Sequence, residues 1–313
     1  ADVTIARVDQ LADISLRHKI PTTLSPLFVN TENDPGVKRV MERVKEQFKR
    51  GARVWPQVQT RPIDISFCFE VPILLFIRLP SWYKIMRFGS HCEIIAEFKD
   101  ENSRAKLVKE AAILGPFWNS ITLRQVNSEE NKEFLGMSLD EIATKRETTP
   151  VDAMIDLSLE ENLQAHFLAE NMGHTDNEMI GALMSDPHVH IGASDGGAHI
   201  LSFSTYGDTG YLFSQFVRNR QAITLEDAVK KITLDTASIW GMKERGCLKK
   251  GFLADITIFE EDRIDRGHEY YTDDVPGDGH RYIRDAIGID TVIIGGSIAY
   301  RKGSYTNAKT GNI

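Results

Sequence analysis

The sequence has few cysteines and none of the patterns that mark disulfide-rich or cysteine-zinc proteins. Only three occur in 313 residues, Cys68, Cys92 and Cys247; they are far apart, and no CxxC pair is present. Neither a disulfide framework nor a cysteine-type zinc site is therefore predicted. A reducing, cytoplasmic setting is expected, and the start of the chain shows no secretory signal pattern.

Long apolar runs and basic clusters are also missing. The longest apolar run, residues 71–79, contains Pro72 and Arg78 and is too short to span a bilayer, so no membrane partner is expected. The net charge is −8, and no Lys/Arg cluster with interleaved aromatic residues occurs, which argues against nucleic acid as a partner. With 42% hydrophobic and 26% charged residues, the composition is that of an ordinary globular protein of one large or two smaller domains.

The first 60 residues alternate between strand and helix signals. Residues 21–28 are rich in β-forming residues and bounded by prolines, and residues 53–58 form a second predicted strand. Between them, Asp34 and Pro35 mark the start of a helix and Gly51 its end. Apolar side chains fall on one stripe of this helix: Val37, Val40, Met41, Val44 and Phe48. A strand, a helix and a strand with short links predict a parallel sheet.

The middle of the chain and its tail differ in pattern. Residues 62–135 have no clean period, and we interpret them as loops and helices inserted after the second strand. Helical signals return at Ser138 and Glu141, which form a capping box. From Arg245 onward, short β-rich segments alternate with turns, and Gly295-Gly296 predicts a hairpin. The tail is therefore interpreted as a small β domain.

Residues 186–199 are the most informative segment. An apolar run over residues 189–193 stops abruptly before Asp195, and two glycines and His199 follow at once. Such a run predicts a short buried strand. A carboxylate at the C-terminal end of a buried strand lies where α/β enzymes place catalytic groups. The alternative is an aspartate that caps a turn or the next helix.

Four further residues are weighed as site candidates. His188 and His190 have the spacing of a metal-binding pair, but side chains alternate along a strand, so both are expected to face away from Asp195 and toward the helices. His199 is expected to orient a water or contact a substrate carbonyl, the alternative being a histidine packed against its loop. Arg61, just past the second predicted strand, is a candidate ligand for a substrate carboxylate, the alternative being an ion pair.

Four short motifs carry a family pattern. Residues 250–259 have the sequence KGFLADITIF, residues 291–296 TVIIGG and residues 194–199 SDGGAH, and WPQV at 55–58 is soon followed by Arg61-Pro62. Together they resemble the metal-dependent amidohydrolase superfamily, in the branch that contains N-acyl-D-amino-acid deacylases. In that family, the first two motifs lie in a small β domain after a (β/α)8 barrel, and the other two resemble the eighth and seventh barrel strands.

The resemblance implies an α/β fold: the C-terminal part of a TIM-type (β/α)8 barrel followed by part of a small β-sandwich. Residues 1–243 would form the partial barrel, with the insertion at about 62–135, and residues 244–313 the partial composite β-sandwich. The implied activity is hydrolysis of a carbon–nitrogen bond other than a peptide bond, in a small amide such as an N-acylated D-amino acid. The implied cofactor is Zn²⁺, with Asp195 as a metal ligand and as the base, then the acid, of the reaction.

Most of the family's metal ligands have no counterpart in the sequence. By this resemblance, the first five barrel strands, with their His-x-His pair, would lie outside the sequence, and Ser25-Pro26 stands where relatives carry Ser-His. One alternative is therefore a catalytically inactive scaffold or interaction fragment. Another is a metal-free hydrolase with paired carboxylates, as in glycosidases, for which Glu70 and Asp64 are candidates beside Asp195. Because a partial barrel exposes sheet edges, we expect the chain to be unstable alone, to depend on further sequence or to form a homo-oligomer.

Overall fold

The computed structural model describes residues 1–71, 75–76, 78–192, 194, 197–198, 200–201, 206–277 and 279–311. Its α-helices are α1 (Asp2–His18), α2 (Pro35–Lys49), α3 (Pro80–Phe88), α4 (His91–Lys99), α5 (Glu101–Ala111), α6 (Leu139–Lys145), α7 (Pro150–Glu160), α8 (Asn177–Ser185), α9 (Asp208–Tyr211), α10 (Leu225–Lys230) and α11 (Thr236–Ile239). Its strands are β1 (Thr22–Leu24), β2 (Val54–Val58), β3 (Ile65–Phe67), β4 (Ile121–Gln125), β5 (His166–Ala169), β6 (His190–Ile191), β7 (Ile256–Phe259), β8 (Asp265–Val275), β9 (Gly279–Ile287), β10 (Ile289–Ile294), β11 (Ser297–Arg301) and β12 (Ser304–Tyr305). Turns of 3₁₀-helix span Ala112–Ser120 and Glu130–Phe134, and π-helical turns continue α9 over Leu212–Asn219 and α10 over Lys231–Asp235.

Three strands form a parallel sheet in the order β1-β2-β6. Thr22 on β1 pairs with Val54 on β2, and Gln57 on β2 pairs with His190 on β6. Helix α2 connects β1 to β2, and α8 leads into β6. The predicted strand–helix–strand unit is therefore present, and the chain has the mixed α/β class that the sequence predicts.

Helix α2 shows how local sequence and burial act together. Asp34 caps it, because its Oδ1 accepts hydrogen bonds from the backbone N–H of Gly36 at 2.8 Å and of Val37 at 3.2 Å. A valine in a helix costs at most about 0.7 kcal/mol relative to alanine. Burying its side chain stabilises by about 1.5–3 kcal/mol, so packing outweighs propensity along the predicted apolar stripe. Gly51, with φ +90°, follows the helix end as predicted.

Two large hydrophobic clusters occur among the described residues. One lies between the parallel sheet and its helices, and its buried members include Val8, Val40, Val44, Val58, Met184, Val189 and Phe216. The buried members of the other all come from residues 67–169, and they include Phe67, Phe69, Trp82, Phe98, Leu123 and Phe167. The segment predicted as an insertion over 62–135 thus shares its core with residues that follow it. The division into domains at residue 243 stays a prediction.

The second cluster surrounds an antiparallel sheet in the order β3-β5-β4. Phe167 on β5 pairs with Phe67 on β3 and with Leu123 on β4. Strand β5, which begins at His166, has no counterpart among the strands predicted from the sequence. All four residues of this strand are buried, so it lacks the apolar–polar alternation by which a half-exposed strand is recognised.

The tail contains a four-stranded antiparallel sheet in the order β12-β11-β10-β7 and the two-stranded hairpin of β8 and β9. The turn at Gly295-Gly296, with φ +55° and +82°, confirms the predicted hairpin between β10 and β11. The long strands of the β8–β9 hairpin were not predicted. Among the described residues, none of the helices combines the length and the apolar character needed to cross a bilayer.

Candidate functional site

The C-terminal ends of the three parallel strands meet at one edge of the sheet. Strand pairing continues there, because the N–H of Leu27 donates to the carbonyl of Gln57 at 2.8 Å and that of Gly192 to Val58 at 3.0 Å. Ligands of α/β proteins bind at this kind of edge. We define the mouth as the residues that follow these strand ends and the side chains that contact them: Gln59, Thr60, Arg61, His174, Ser194 and Asp208.

The two predicted catalytic residues, Asp195 and His199, lie outside the described residues. Their described neighbours are held from two sides. The carbonyl of Ser194 accepts a hydrogen bond from Arg61 Nη2 at 3.3 Å, and the carbonyl of Ile200 accepts one from the N–H of Tyr282 at 2.8 Å. The segment is thus tied to the end of β2 and to the β8–β9 hairpin. The catalytic roles of both residues, and the metal role of Asp195, stay predictions.

Arg61 is buried in the mouth, with only 4% of its side chain exposed. Its Nε donates to Asp208 Oδ1 at 2.6 Å, its Nη1 to the carbonyl of Pro62 at 3.3 Å and its Nη2 to that of Ser194. All three nitrogens are therefore engaged within the chain. A substrate carboxylate would have to displace Asp208, so the ion-pair alternative describes the observed geometry. The predicted substrate role of Arg61 stays a prediction.

Asp208, the first residue of α9, is the anionic partner of Arg61, and its side chain is 11% exposed. The hydroxyl of Thr60 donates to its backbone carbonyl at 2.8 Å. Burial raises the pKa of this carboxyl to about 6, although Arg61 and Arg266 both act to lower it. A buried carboxyl that titrates so close to neutral pH is typical of functional sites. The only sequence signal for this residue is its position, a few residues after the SDGGAH motif.

His174 is a mouth residue to which the sequence assigned no role. Its Nδ1 accepts a hydrogen bond from the N–H of Val29 at 3.1 Å, and its Nε2 lies 3.0 Å from the carbonyl of Gln59. Because a backbone N–H can only donate, Nδ1 is the acceptor and Nε2 carries the proton. Burial lowers the His174 pKa, and the nearby Arg61 lowers it further, against the hydrogen bond to Gln59. A neutral His174 therefore links the backbone that follows β1 to the backbone that follows β2.

One buried ion pair attaches the β8–β9 hairpin beside the mouth, and a second joins its two strands. Arg266 on β8 lies 3.3 Å from Asp64, whose other carboxylate oxygen accepts from the N–H of Asn171 at 3.1 Å. Arg284 on β9 lies 3.3 Å from Glu269 on β8, and Glu269 also accepts a hydrogen bond from Ser66 of β3. Burial lowers the Arg284 pKa, although Glu269 acts to raise it. These contacts join the hairpin to β3 and to the loop that precedes it.

A histidine–tyrosine contact continues this interface. His166 Nδ1 lies 2.7 Å from the hydroxyl of Tyr282 on β9, and its ring lies against Tyr271 on β8 with centroids 4.2 Å apart. Burial lowers the His166 pKa to about 4. His166 is therefore neutral at pH 7 and is held between β5 and the hairpin. The sequence could not reveal this residue, because its partners lie more than a hundred positions along the chain.

His188 lies two residues before β6, and His190 is the first of the two residues of this strand. His188 Nδ1 lies 2.9 Å from Asp186 Oδ1, and its ring packs edge-on against Phe48 of α2. Burial lowers the His190 pKa, and the cation Lys231 lowers it further. His188 therefore packs on α2; that both histidines face away from Asp195 stays a prediction, because Asp195 lies outside the described residues.

The described residues do not by themselves fit a metal site. No group of three or more His, Cys, Asp or Glu side chains suited to hold an ion occurs among them. Both ring nitrogens of His174 are committed to the backbone, and His190 Nδ1, which has no hydrogen-bond partner in this part of the chain, has the cation Lys231 as a neighbour. A zinc ion would need Asp195 and further ligands from outside the described residues.

Comparison with known proteins gives one family and several relatives. The model of the amidohydrolase family matches residues 122–300. Uncharacterized proteins of Mycobacterium tuberculosis and Mycobacterium bovis are 27% identical over 187 residues, which is 56% of this chain and 30% of each relative. The match thus spans less than a third of the length of these curated relatives.

Solved structures share the fold over nearly the whole chain. N-acyl-D-glutamate deacylase of Bordetella bronchiseptica, crystallised with zinc and a phosphonate inhibitor, gives a TM-score of 0.51 at 19% identity, covering 96% of this chain and 51% of the deacylase. A D-aminoacylase described as defining a novel subset of amidohydrolases gives 0.52 at 18% identity, covering 97% of this chain and 51% of its own. A D-aminoacylase with a binuclear metal centre gives 0.51 at 18% identity, with the same coverage. The chain spans about half the length of these enzymes.

Proposed function

The chain belongs to the amidohydrolase family, and on that premise we propose that it is a hydrolase of carbon–nitrogen bonds other than peptide bonds. The observation that carries the proposal is the position of the SDGGAH motif. The matched region includes residues 194–199, and the described Ser194 lies at the C-terminal edge of the parallel sheet, against the buried Arg61. Barrel enzymes place their catalytic groups at this edge. We propose that the parallel sheet is the C-terminal part of a TIM-type barrel and that the tail is part of a β-sandwich.

The proposed substrate is a small amide, with an N-acylated D-amino acid as the first choice. The support is the fold shared with N-acyl-D-glutamate deacylase and with D-aminoacylase, together with the motif at residues 194–199. A panel of acylated amino acids would identify the acyl group and side chain that the protein prefers.

Asp195 and His199 are the proposed catalytic residues. Asp195 would accept a proton from the attacking water and return it to the leaving nitrogen as the C–N bond breaks, which is general base and then general acid catalysis. His199 would orient the water or the substrate carbonyl. Zn²⁺ is the proposed cofactor, and Asp195 is the ligand that this chain would contribute. Since the described residues do not complete a zinc site, the remaining ligands are proposed to come from elsewhere.

A catalytically inactive scaffold is the second candidate. The observation that favours it is the lack of a metal-binding group of His, Cys, Asp and Glu among the described residues. The paired-carboxylate alternative has less support, because Asp64 is already engaged by Arg266 and by the N–H of Asn171. Glu70 contacts Gln164 at 3.2 Å, on the side of the inserted sheet.

The test is hydrolysis of paired N-acetyl-D- and N-acetyl-L-amino acids by purified protein, with the zinc content measured on the same sample. We expect amine release from D-substrates, and we expect Asp195→Asn to lower kcat by about 10²–10⁴-fold, the usual contribution of a general base. Asp262→Asn, in an exposed turn of the tail, is the matched control and should keep full activity. No amine release and no bound zinc would support the scaffold instead.

A further inference from the structure

We propose that Arg61 and Asp208 are positioning residues that hold the backbone immediately before Asp195. The proposal rests on the proposed function for its catalytic meaning, but the restraint itself is visible in the described residues. One guanidinium contacts both ends of residues 194–208: the carbonyl of Ser194 and the carboxylate of Asp208. This positioning role differs from substrate binding, which would require the guanidinium to face a ligand.

The first argument is the number of bonds that converge on Asp208. Arg61 Nε donates to its side chain at 2.6 Å, while the neighbouring Thr60 donates to its backbone carbonyl at 2.8 Å. Two consecutive residues at the end of β2 thus hold the first turn of α9. The guanidinium is itself fixed by its bond to the carbonyl of Pro62. Arg61 is therefore also held by the backbone of the residue that follows it.

The second argument is the covalent geometry of the peptide that follows Ser194. The peptide unit is planar, so an acceptor bond to the Ser194 carbonyl also restrains the direction in which the chain continues to Asp195. On the other side of this carbonyl, Gly192 donates to Val58 of β2 at 3.0 Å. Bonds from β2 and from Arg61 therefore hold the chain at residues 192 and 194, immediately before the predicted catalytic carboxylate.

The third argument compares this role with stability. Replacing a buried ion pair with apolar groups of similar size is often neutral or stabilising, so the pair is a poor device for stability alone. A lysine at position 61 would keep the positive charge, but it lacks the planar fork that reaches two acceptors in different directions. The geometry of arginine is therefore the property that the proposed role requires.

Hydrogen exchange of peptides covering residues 192–206, measured by mass spectrometry on the full chain, tests the proposal without depending on catalysis. We expect Arg61→Lys to speed exchange in this segment by about tenfold or more, the effect of losing a charge-assisted hydrogen bond. Exchange of α2 and α8 should stay unchanged. Arg104→Lys is the matched control, since Arg104 of α5 pairs with Asp152 and Asp156 of α7 and with none of the mouth residues.

The double variant Arg61→Met/Asp208→Asn removes both charges and should fold where a single change fails; it too should speed exchange in residues 192–206. Equal exchange in wild type and variants, or exchange in the wild type at the rate of an unstructured peptide, would overturn the proposal. If the wild type hydrolyses amides, Arg61→Lys should lower kcat with little change in KM. An inactive wild type whose segment loosens on substitution would refute the proposed function alone.

Discussion

Asp208 and His166 are buried titratable residues that respond to pH in opposite directions. Burial raises the Asp208 pKa from 3.8 to about 6, so the folded state favours the protonated form, and this contribution to stability is lost as pH rises through about 6. Burial lowers the His166 pKa from 6.5 to about 4, so the folded state favours the neutral form, and this contribution is lost as pH falls from 6.5 toward 4. Both effects fall in nearly the same range of pH, where they oppose each other.

Single variants should therefore reveal two opposite pH dependences of the free energy of unfolding, which largely cancel in the wild type. Relative to wild type, the free energy of unfolding of His166→Gln should fall as pH rises from 4 to 6.5, and that of Asp208→Asn should rise. Each relative change should be about 3 kcal/mol, since each pH unit between the ordinary and the folded pKa corresponds to about 1.4 kcal/mol. Urea unfolding at several pH values measures both. Curves parallel to wild type for both variants would contradict the assignment.

At this scale, residues with local partners could be predicted and residues with distant partners could not. The capping box at Ser138 and Glu141 and the cap at Asp34 are confirmed, because their partners lie within three positions. His174 bonds to Val29 and to Gln59, which lie 145 and 115 positions away. No local pattern encodes such a contact. Of the candidate site residues, Asp195 and His199 lie outside the described residues, and Arg61 is placed at the predicted strand end.

At the scale of elements, buried polar contacts attach the β8–β9 hairpin to β3, in addition to the packing of its tyrosines on His166. Arg284 and Glu269 are both buried, and Ser66 of β3 also donates to Glu269. Removing one member of such a pair leaves an uncompensated buried charge, which typically costs about 3–5 kcal/mol, whereas removing both charges is often neutral. The N–H of Tyr282 in the hairpin also donates to the carbonyl of Ile200, the residue that follows the SDGGAH motif.

We expect Arg284→Met to destabilise the chain by about 3–5 kcal/mol and Glu269→Leu/Arg284→Met to recover most of that loss. Chemical denaturation of the two single variants and the double variant gives the coupling free energy. Arg281→Met is the control, since Arg281 pairs with Asp274 at the surface, where an ion pair contributes at most about 1 kcal/mol. Additive effects of the two core changes would refute a coupled buried pair.

The elements that sequence predicted are those with a one-sided pattern. Helix α2 has its apolar stripe, and the Gly295-Gly296 turn has its glycines at positive φ. The β8 strand has the sequence DRGHEYYTDDV, which is polar on both faces because one face packs on charged partners. Because β8 packs on charged partners, no hydrophobic pattern marks it in the sequence.

At the scale of the whole molecule, the parallel sheet has two edge strands, and residues 234–253 expose several large apolar side chains. In the described order β1-β2-β6, the outer strands β1 and β6 each pair with one neighbour. Large apolar side chains are exposed along the segment that leads into the tail sheet: Leu234, Trp240, Met242, Leu248 and Leu253. Exposed apolar side chains and open sheet edges favour association, and the solved relatives are about twice as long as this chain.

We therefore expect the isolated chain to self-associate, as light scattering coupled to size-exclusion chromatography would detect. Trp240→Ser combined with Leu248→Ser should shift the population toward monomer, because burying such side chains at an interface drives association. Val3→Ser is the control, since Val3 is 81% exposed, close to the 83% of Leu248, but lies on α1 rather than in the tail. If the double change reduces association and the control does not, the exposed apolar side chains of residues 234–253 drive the association. Equal association in both would assign it to the sheet edges, and a wild-type monomer with a sharp thermal transition would refute the expectation altogether.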